Sequence, residues 1–558
     1  MKKHAPTRHF RTACLLPALL FLLAASLTRA GSATWLQTPV DSDWSSAVNW
    51  SPKTVPNGPS DVATFATSNV TGISLGTFDE VSSIVFAPGA SSFTITNNFG
   101  TLTISGAGVI NNSGTTQNFV AQSQQALGNN TLISFINQAG AGDATYSNYG
   151  AQFELPPLGM TEFRNNATAE NATFFNHSGV SSGGYTLFVD ASTAANAHFF
   201  NYPAEFLIED YGHTKFLQTS SAGNATFTCY GGVVSGSFGP NLGGTVSFAA
   251  QATAANAVFT LEGGTATQTG GGRVTFSVNS TAANSTITVG AGSNGGLDAY
   301  VYFWLDSLGG EARIILSGTL DISDHNLPGV TTGSVEGAGT IILGRNNLSV
   351  GSAQLSTIFS GTVEDGSTAG GSLSVIGGQL ALTNDNPYTG GTSVNGGTLL
   401  VDNRTGSATG TGAVVVESGT LAGRGTISGA VTIGGGSGVK AQLKPSAGTK
   451  KPARLTIQSS LTLKAGGIYS YRLKTRNSRA DEVVADGVTI ESGARFQLHA
   501  MGNQSLTVGQ VLIAIDNTSN ASISGNFSNL ADGSTFTVGN NSFQVSYEGG
   551  DGNDLTLT

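Results

Sequence analysis

Apolar and polar residues alternate with a period of two, but only over short stretches. Val274-Thr275-Phe276-Ser277-Val278 and Thr286-Ile287-Thr288-Val289 show the pattern, which marks strands with one buried face. The stretches recur together with their surroundings. Thr168–Phe174 reads TAENATF, Thr193–Phe199 TAANAHF, Ser221–Phe227 SAGNATF, Thr253–Phe259 TAANAVF and Thr281–Ile287 TAANSTI, with a weaker copy, AGDATY, at Ala141–Tyr146. The central polar residues are Asp143, Asn171, Asn196, Asn224, Asn256 and Asn284, spaced 28, 25, 28, 32 and 28 residues apart. Most copies follow a strand ending in Phe: Phe163, Phe188, Phe216, Phe248 and Phe276.

A repeat of this length signals a solenoid, propeller or array. The period-two alternation rules out helical repeats. The unit is too short for the four strands of a propeller blade, which takes about 40 residues. Each unit therefore reads as one coil of an all-β fold, a right-handed parallel β-helix (β-solenoid). The Ala and Phe positions should stack inward. Asn171, Asn196, Asn224, Asn256 and Asn284 should form a ladder at one corner, each amide bonding to the next coil.

Outside this array the coils shorten. Phe99–Ile104 (FGTLTI), Ser317–Ile322 (SGTLDI), Gly377–Leu382 (GGQLAL) and Gly396–Val401 (GGTLLV) read as variants of one strand-entry pattern. Ser418–Gly423 (SGTLAG) echoes them 22 residues after Gly396. The glycine pairs Gly390–Gly391 and Gly396–Gly397 should make corners, with β-branched residues between them forming wall. At about 25 residues per coil and about 4.8 Å of rise, the chain would form a rod on the order of 100 Å long.

The segment NPYTGGTSVNGGTLLV, Asn386–Val401, resembles the autotransporter-associated β-strand repeat. Asn386, Tyr388, Thr389, Gly390, Gly391, Thr392, Val394, Gly397, Thr398 and Leu399 match its pattern. Trp44–Asn57 (WSSAVNWSPKTVPN), the Asn-centred array and the tail Tyr547–Thr558 (YEGGDGNDLTLT) are similar to segments of such exported proteins. The resemblance implies an exported β-helical passenger. Autotransporters end in a membrane β-barrel whose strands carry lipid-facing alternation over about 9–11 residues each. The Gly- and Asp-rich end of this sequence lacks that alternation, so periplasmic residence or another route to the surface is the expectation.

The ends differ from the middle. Residues 1–30 read as a secretory signal peptide: Lys2, Lys3, Arg8 and Arg11, an apolar run from Ala13 to Leu27, then Thr28-Arg29-Ala30. Residues 31–75, with Trp35, Trp44 and Trp50 beside Pro52, Pro56 and Pro59, read as an N-terminal cap, since an open solenoid end must be covered. Residues 76–350 form the Asn-repeat helix and 351–464 the helix carrying the Asn386–Val401 motif. Residues 465–558, with Arg472, Lys474, Arg476, Arg479, Asp481 and Glu482, read as a C-terminal β cap.

Only 10% of the residues are charged and 77 are Gly, whereas 39% are apolar. Disorder explains the glycine but not the apolar share. Stacked walls disfavour charge, because like charges would repel at each rung while Asn, Thr and Ser ladders can hydrogen-bond. Cleavage after Ala30 leaves 19 basic against 34 acidic residues, a net charge of −15. So acidic a chain is a poor nucleic-acid ligand. Cys229 would be the only cysteine left, so no disulfide framework holds the fold.

Two clusters suit carbohydrate chemistry. Glu205, Glu209, Asp210 and His213 place carboxylates together, as glycoside cleavage requires. Asp298, Trp304, Asp306, Glu311 and Arg313, with Tyr300, Tyr302 and Phe303, mix aromatics with charge. The competing readings are an exposed loop for the first and a packed irregular coil for the second. Lys440, Lys444, Lys450, Lys451 and Arg454 form a basic patch open to anionic glycans or merely solvated. Gly549–Asp554 resembles a single calcium-binding turn, but such turns work in tandem. His177, His198, His213, His325 and His499 lack metal-ligand spacing. The expectation is an exported, non-enzymatic scaffold of surface, adhesive or extracellular-matrix type. It needs no cofactor or metal, has no membrane span in the mature chain, and has glycans or cell-surface components as its open partners. The alternative is a polysaccharide lyase or hydrolase on the same coil.

Overall fold

The computed structural model describes residues 31–122, 131–151, 158–180, 182–204, 210–233, 243–436, 440–447 and 451–558; the signal-peptide reading at 1–30 lies outside them. The described chain is nearly all β, and its coil-to-coil pairing is parallel: a parallel β-helix. Each coil contributes one strand to wall A, a corner, and one strand to wall B. In one coil wall A is Arg273–Phe276 and wall B is Thr286–Val289. The next coil places Tyr300–Phe303 on the first and Arg313–Leu316 on the second, both in parallel register.

The period-two pattern fixes which side chains enter. In most of the four-residue strands the second and fourth residues are buried and the first and third face out, as in Arg273–Phe276 and Tyr300–Phe303. One residue type at one position on every coil therefore becomes a column. On wall A, Phe135, Phe163, Phe188, Phe216, Phe248, Phe276 and Phe303 stack with ring centroids 4.7–5.0 Å apart. On wall B, Phe119, Tyr146, Phe174, Phe199, Phe227 and Phe259 do the same at 4.8–5.0 Å. That spacing equals the strand separation, so backbone and rings share one repeat. The columns meet edge-on, as Phe188 meets Phe199 at 5.9 Å. Each such pair adds roughly 0.5–1.5 kcal/mol to area burial. The repeat alanines fill the narrow corner between the walls; Ala169, Ala194, Ala222, Ala254 and Ala282 are all fully buried.

The corner between walls A and B is strand-paired in the first coils, Ser83–Phe86 against Gly108–Asn111, and through the middle coils narrows to single-residue bridges, Gly140–Thr168–Thr193–Ser221–Thr253–Thr281–Leu308. From Gly329–Thr332 onward it widens into a third strand wall, C, continued by Asn347–Val350 and the first half of Ser372–Leu382. Coils there are about as short as the sequence suggests: Thr398 pairs with Thr420 and Leu399 with Leu421, 22 residues apart. Ser372–Leu382, Thr392–Val401 and Val414–Gly423 each run through walls C and B as one bent strand. Gly397, at φ +60°, makes the bend, and a Cβ there would lie 2.4 Å from the carbonyl oxygen of Gly378. Gly396 sits against Ile376 of the coil below, and Gly390–Gly391 turn the chain into wall C, with Gly391 at φ +94°. The strand-entry variants divide between walls. FGTLTI and SGTLDI enter wall A, whereas GGQLAL and GGTLLV enter wall B.

At the N-terminal end, Ala33–Trp35 pairs antiparallel with Trp50–Ser51 and parallel with Gly58–Phe65. Trp35, Trp44 and Trp50 are buried over Phe65, with Trp50 Nε1 donating to the Trp44 carbonyl at 2.7 Å. The first regular coil, Gly58–Phe65 and Gly72–Leu75, already lies within residues 31–75. At the other end the parallel ladder continues through Arg495–Met501. Leu512–Asn517 then joins an antiparallel meander of Asp554–Leu557, Asn541–Gly549 and Thr535–Val538.

Candidate functional site

The repeat asparagines occupy one corner on successive coils. Asn196 Nδ2 donates to Asn171 Oδ1 at 3.3 Å, Asn224 to Asn196 at 3.2 Å, Asn256 to Asn224 at 3.2 Å and Asn284 to Asn256 at 3.4 Å. All these bonds are solvent-exposed. The preceding residue is left-handed on each coil (Glu170, Ala195, Gly223, Ala255 and Ala283, φ 48–60°).

A second, buried ladder runs inside wall B. Asn148 Nδ2 donates to Asn176 Oδ1 at 2.9 Å, and Asn176 Nδ2 to Asn201 Oδ1 at 2.7 Å. Threonines of wall A complete it: Thr161, Thr186 and Thr214 donate to Asn148, Asn176 and Asn201 at 2.8, 2.8 and 3.0 Å. The ladder ends at Cys229, whose Sγ accepts from Asn201 at 3.8 Å, and burial pushes that thiol up to about 12. Cys229 thus terminates a polar column, and Leu261 and Val289 follow it on the next coils. The repeat motif gave no sign of this ladder, because its asparagines lie two residues after the recurring aromatic. The legible signal was the series Asn148-Tyr149, Asn176-His177, Asn201-Tyr202, Cys229-Tyr230.

The second member of each pair points outward. Tyr149, His177, Tyr202 and Tyr230 stack face to face at 4.3, 5.0 and 5.1 Å, with interplanar angles of 7°, 4° and 23°. Phe175 and Phe200 stack beside them at 5.1 Å. Burial between the rings lowers the His177 pKa from its ordinary value.

The structure divides the two carbohydrate-type clusters. Glu205 and Glu209 lie outside the described residues. Asp210 bridges Gly179, and His213 sits on wall A, bonded to Ser247 Oγ at 2.8 Å, with its pKa pushed down to about 3 by burial and by the cations Lys215 and Arg273. In the second cluster, Phe303 is part of the buried column, and Arg313 turns to wall B to pair with Glu336 at 2.5 Å. Glu311 is exposed in the turn two residues before that strand. Asp298 accepts from the Gly292 amide at 2.8 Å. Tyr300, Tyr302 and Trp304 face outward along one wall A strand. They lie between Arg273 of the coil below and Asp321 of the coil above, and with Arg273 and Asp321 the two tyrosines line a shallow groove of about 250 Å³.

The adjoining corner is pinned. Tyr302 Oη donates to Asp324, Asn326 Nδ2 to Asp306 at 2.9 Å, and His325 Nε2 bonds the Ser307 carbonyl at 2.7 Å. The basic patch is partly neutralised: Arg454 pairs with Glu482 at 3.5 Å and Asp516 at 3.1 Å, and Lys450 lies outside the described residues. Asp554 in the Gly549–Asp554 turn accepts from the Asn517 amide at 2.9 Å. Among the described residues no three His, Cys, Asp or Glu side chains group as a metal site, and no helix is long and apolar enough to cross a membrane.

No protein-family profile and no curated protein sequence matches the chain. Among solved structures it is similar to the crystal structure of the Haemophilus influenzae Hap adhesin, at 10% identity, with 89% of this chain and 64% of that chain covered and a TM-score of 0.28. The chain thus spans less than two thirds of that adhesin. So low a TM-score carries no argument about function; the β-helix stands on its own strand pairing.

Proposed function

We propose that the chain is an exported, non-enzymatic β-helical scaffold of surface, adhesive or extracellular-matrix type. The observation that carries the reading is the lateral face of wall A around Trp304. There a strand paired in parallel on both sides holds large aromatic side chains in solvent, with Trp304 47% and Tyr300 36% exposed. Presenting such residues has a solvation penalty that a purely structural wall avoids by placing Thr or Ser there, as at Thr275 and Ser247. The leader-like segment at 1–30 supports export, and the acidic balance favours glycans or cell-surface components over nucleic acid.

Cell fractionation combined with adhesion of the purified mature chain to cells and matrix tests the reading. Export with saturable adhesion is the expected result. A strictly cytoplasmic chain would overturn it. So would release of reducing ends from a polysaccharide panel, lost on Asp306→Ala, which would instead establish the carbohydrate-active alternative.

A further inference from the structure

Two outward aromatic arrays compete for a ligand, and their geometry separates them. Sugars bind aromatics through their C–H faces, so a platform needs free ring faces. In the Tyr149–His177–Tyr202–Tyr230 stack, successive rings cover one another at 4.3–5.1 Å, leaving only edges along its length. That stack is satisfied by itself. Around Tyr300 no such column forms. Register places Arg273 and Thr319 beside Tyr300, and Thr275 and Asp321 beside Tyr302. Neither tyrosine therefore has an aromatic neighbour on the adjoining rungs. Trp304 lies 6.3 Å from Tyr302 on the same strand, tilted by 35°.

We infer that this groove binds an uncharged hexopyranose glycan lying along the helix axis, an inference that rests on the scaffold reading of this face. The two ends of the groove supply opposite hydrogen-bonding characters. Arg273 has no ion-pair partner among the described residues, whereas Arg313 on the next coil is paired with Glu336. Its guanidinium offers only donors. Asp321 offers acceptors, with Oδ1 already holding the Ser323 amide at 2.8 Å. They stand two rungs apart, a span of about 10 Å and longer than one sugar ring. Donor at one end, acceptor at the other and aromatic faces between them match the hydroxyls and C–H face of a neutral sugar chain. One positive and one negative group leave no net charge to select an anionic one.

A peptide strand is a poorer fit. The wall A backbone here is paired both above and below, so it has no open edge to augment. The site is also preorganised. The Tyr302 hydroxyl is committed to Asp324, and the corner at 323–327 is tied to Asp306 and Ser307, so little ordering is left for the ligand to impose.

Trp304 supplies the readout. Trp35, Trp44 and Trp50 are buried in the cap, so a change in exposed-tryptophan fluorescence reports on this groove. The mature chain is titrated with soluble neutral hexans (glucan, galactan and mannan) and with polygalacturonate and a sulfated glycan. The expected result is saturable binding of at least one neutral hexan, weakened about tenfold or more by Tyr300→Ala and several-fold by both Arg273→Gln and Asp321→Asn. The thermal melts of these variants should stay unchanged.

Binding confined to the acidic glycans, and strengthened by Asp321→Asn, overturns the assignment. Binding to none of the panel by a folded chain does so as well. If Tyr300→Ala leaves cell adhesion intact, the scaffold reading stands and the groove assignment falls; if the wild-type chain adheres to nothing, the scaffold reading itself falls.

Discussion

Asn176 and Asn224 are both ladder asparagines bonded to the coils above and below, yet their replacement should have very different consequences. Asn176 is fully buried. It donates to Asn201 and to Thr214 Oγ1 and accepts from Asn148 Nδ2 and Thr186 Oγ1, all at 2.7–3.1 Å. Asn176→Leu keeps a similar volume, and Leu261 occupies the equivalent position three rungs further along the same ladder, so an apolar residue fits this wall. The substitution nevertheless strands two donors in the interior: one N–H of Asn148 and the hydroxyl hydrogen of Thr186. An unsatisfied buried donor costs about 1–3 kcal/mol, so the loss should be roughly 2–6 kcal/mol. Asn224→Leu removes only exposed bonds, whose donors return to water, and should cost about 0.5 kcal/mol or less.

A stacked-coil protein need not unfold in one step, so a single global midpoint would blur the difference. Hydrogen exchange of the wall B amides at 145–148 and 173–176 measures the local opening free energy directly. Equal protection in the two variants, or a loss below about 0.5 kcal/mol for Asn176→Leu, would refute the claim that the interior ladder holds these coils.

Four further outcomes follow from the same geometry. Phe216, stacked on Phe188 and Phe248 at 4.7 Å each, should lose about 3–5 kcal/mol on replacement by Ala, seen as early melting of the central coils in a denaturant titration. Gly212→Ala would place a Cβ 1.9 Å from the Asn176 carbonyl oxygen; it should be destabilising and lower protection at 173–176, whereas replacing Gly89, with nothing within 4 Å, should leave that segment untouched. Ala255, at φ +49°, should gain up to about 1 kcal/mol when replaced by Gly, read as a raised local melting temperature. His213 is held neutral in the fold, so protons bind the unfolded chain first. Stability should therefore fall as pH drops from about 6.5 toward the folded value of about 3, and His213→Gln should flatten that part of the stability–pH curve relative to wild type.

What could be read from the sequence depended on whether a feature repeats along the chain or is assembled across it. Phe163, Phe188, Phe216, Phe248 and Phe276 recur at the coil spacing, so their stacking was legible before any coordinate. The same holds for the Asn171–Asn284 corner, because the motif itself supplies each partner. The interior ladder escaped because its partners come from two walls: Asn176 is completed by Thr186 and Thr214, residues unremarkable in their own strands. The division of FGTLTI from GGTLLV escaped for a related reason. A strand entry has the same local chemistry on any wall, and only the number of residues per turn decides which wall it joins.

The groove shows the same limit from the functional side. Asp298, Tyr300, Tyr302, Phe303, Trp304, Asp306, Glu311 and Arg313 looked like one cluster because they are close in sequence. Folding sorts them by direction. Phe303 turns inward by strand parity, and Arg313 crosses to the other wall to meet Glu336. The groove is completed by Arg273 and Asp321, 27 residues before and 21 after Tyr300 in the chain and one rung away on either side. In a solenoid, neighbours in space are one coil apart in sequence. A candidate site on such a fold is therefore sought at the coil spacing rather than within a local window. Applied to Tyr149, His177, Tyr202 and Tyr230, the same rule finds a stack that covers its own faces; at Tyr300 it finds exposed rings with no aromatic neighbour on either rung, set between a donor and an acceptor, and that difference selects the groove for the binding test.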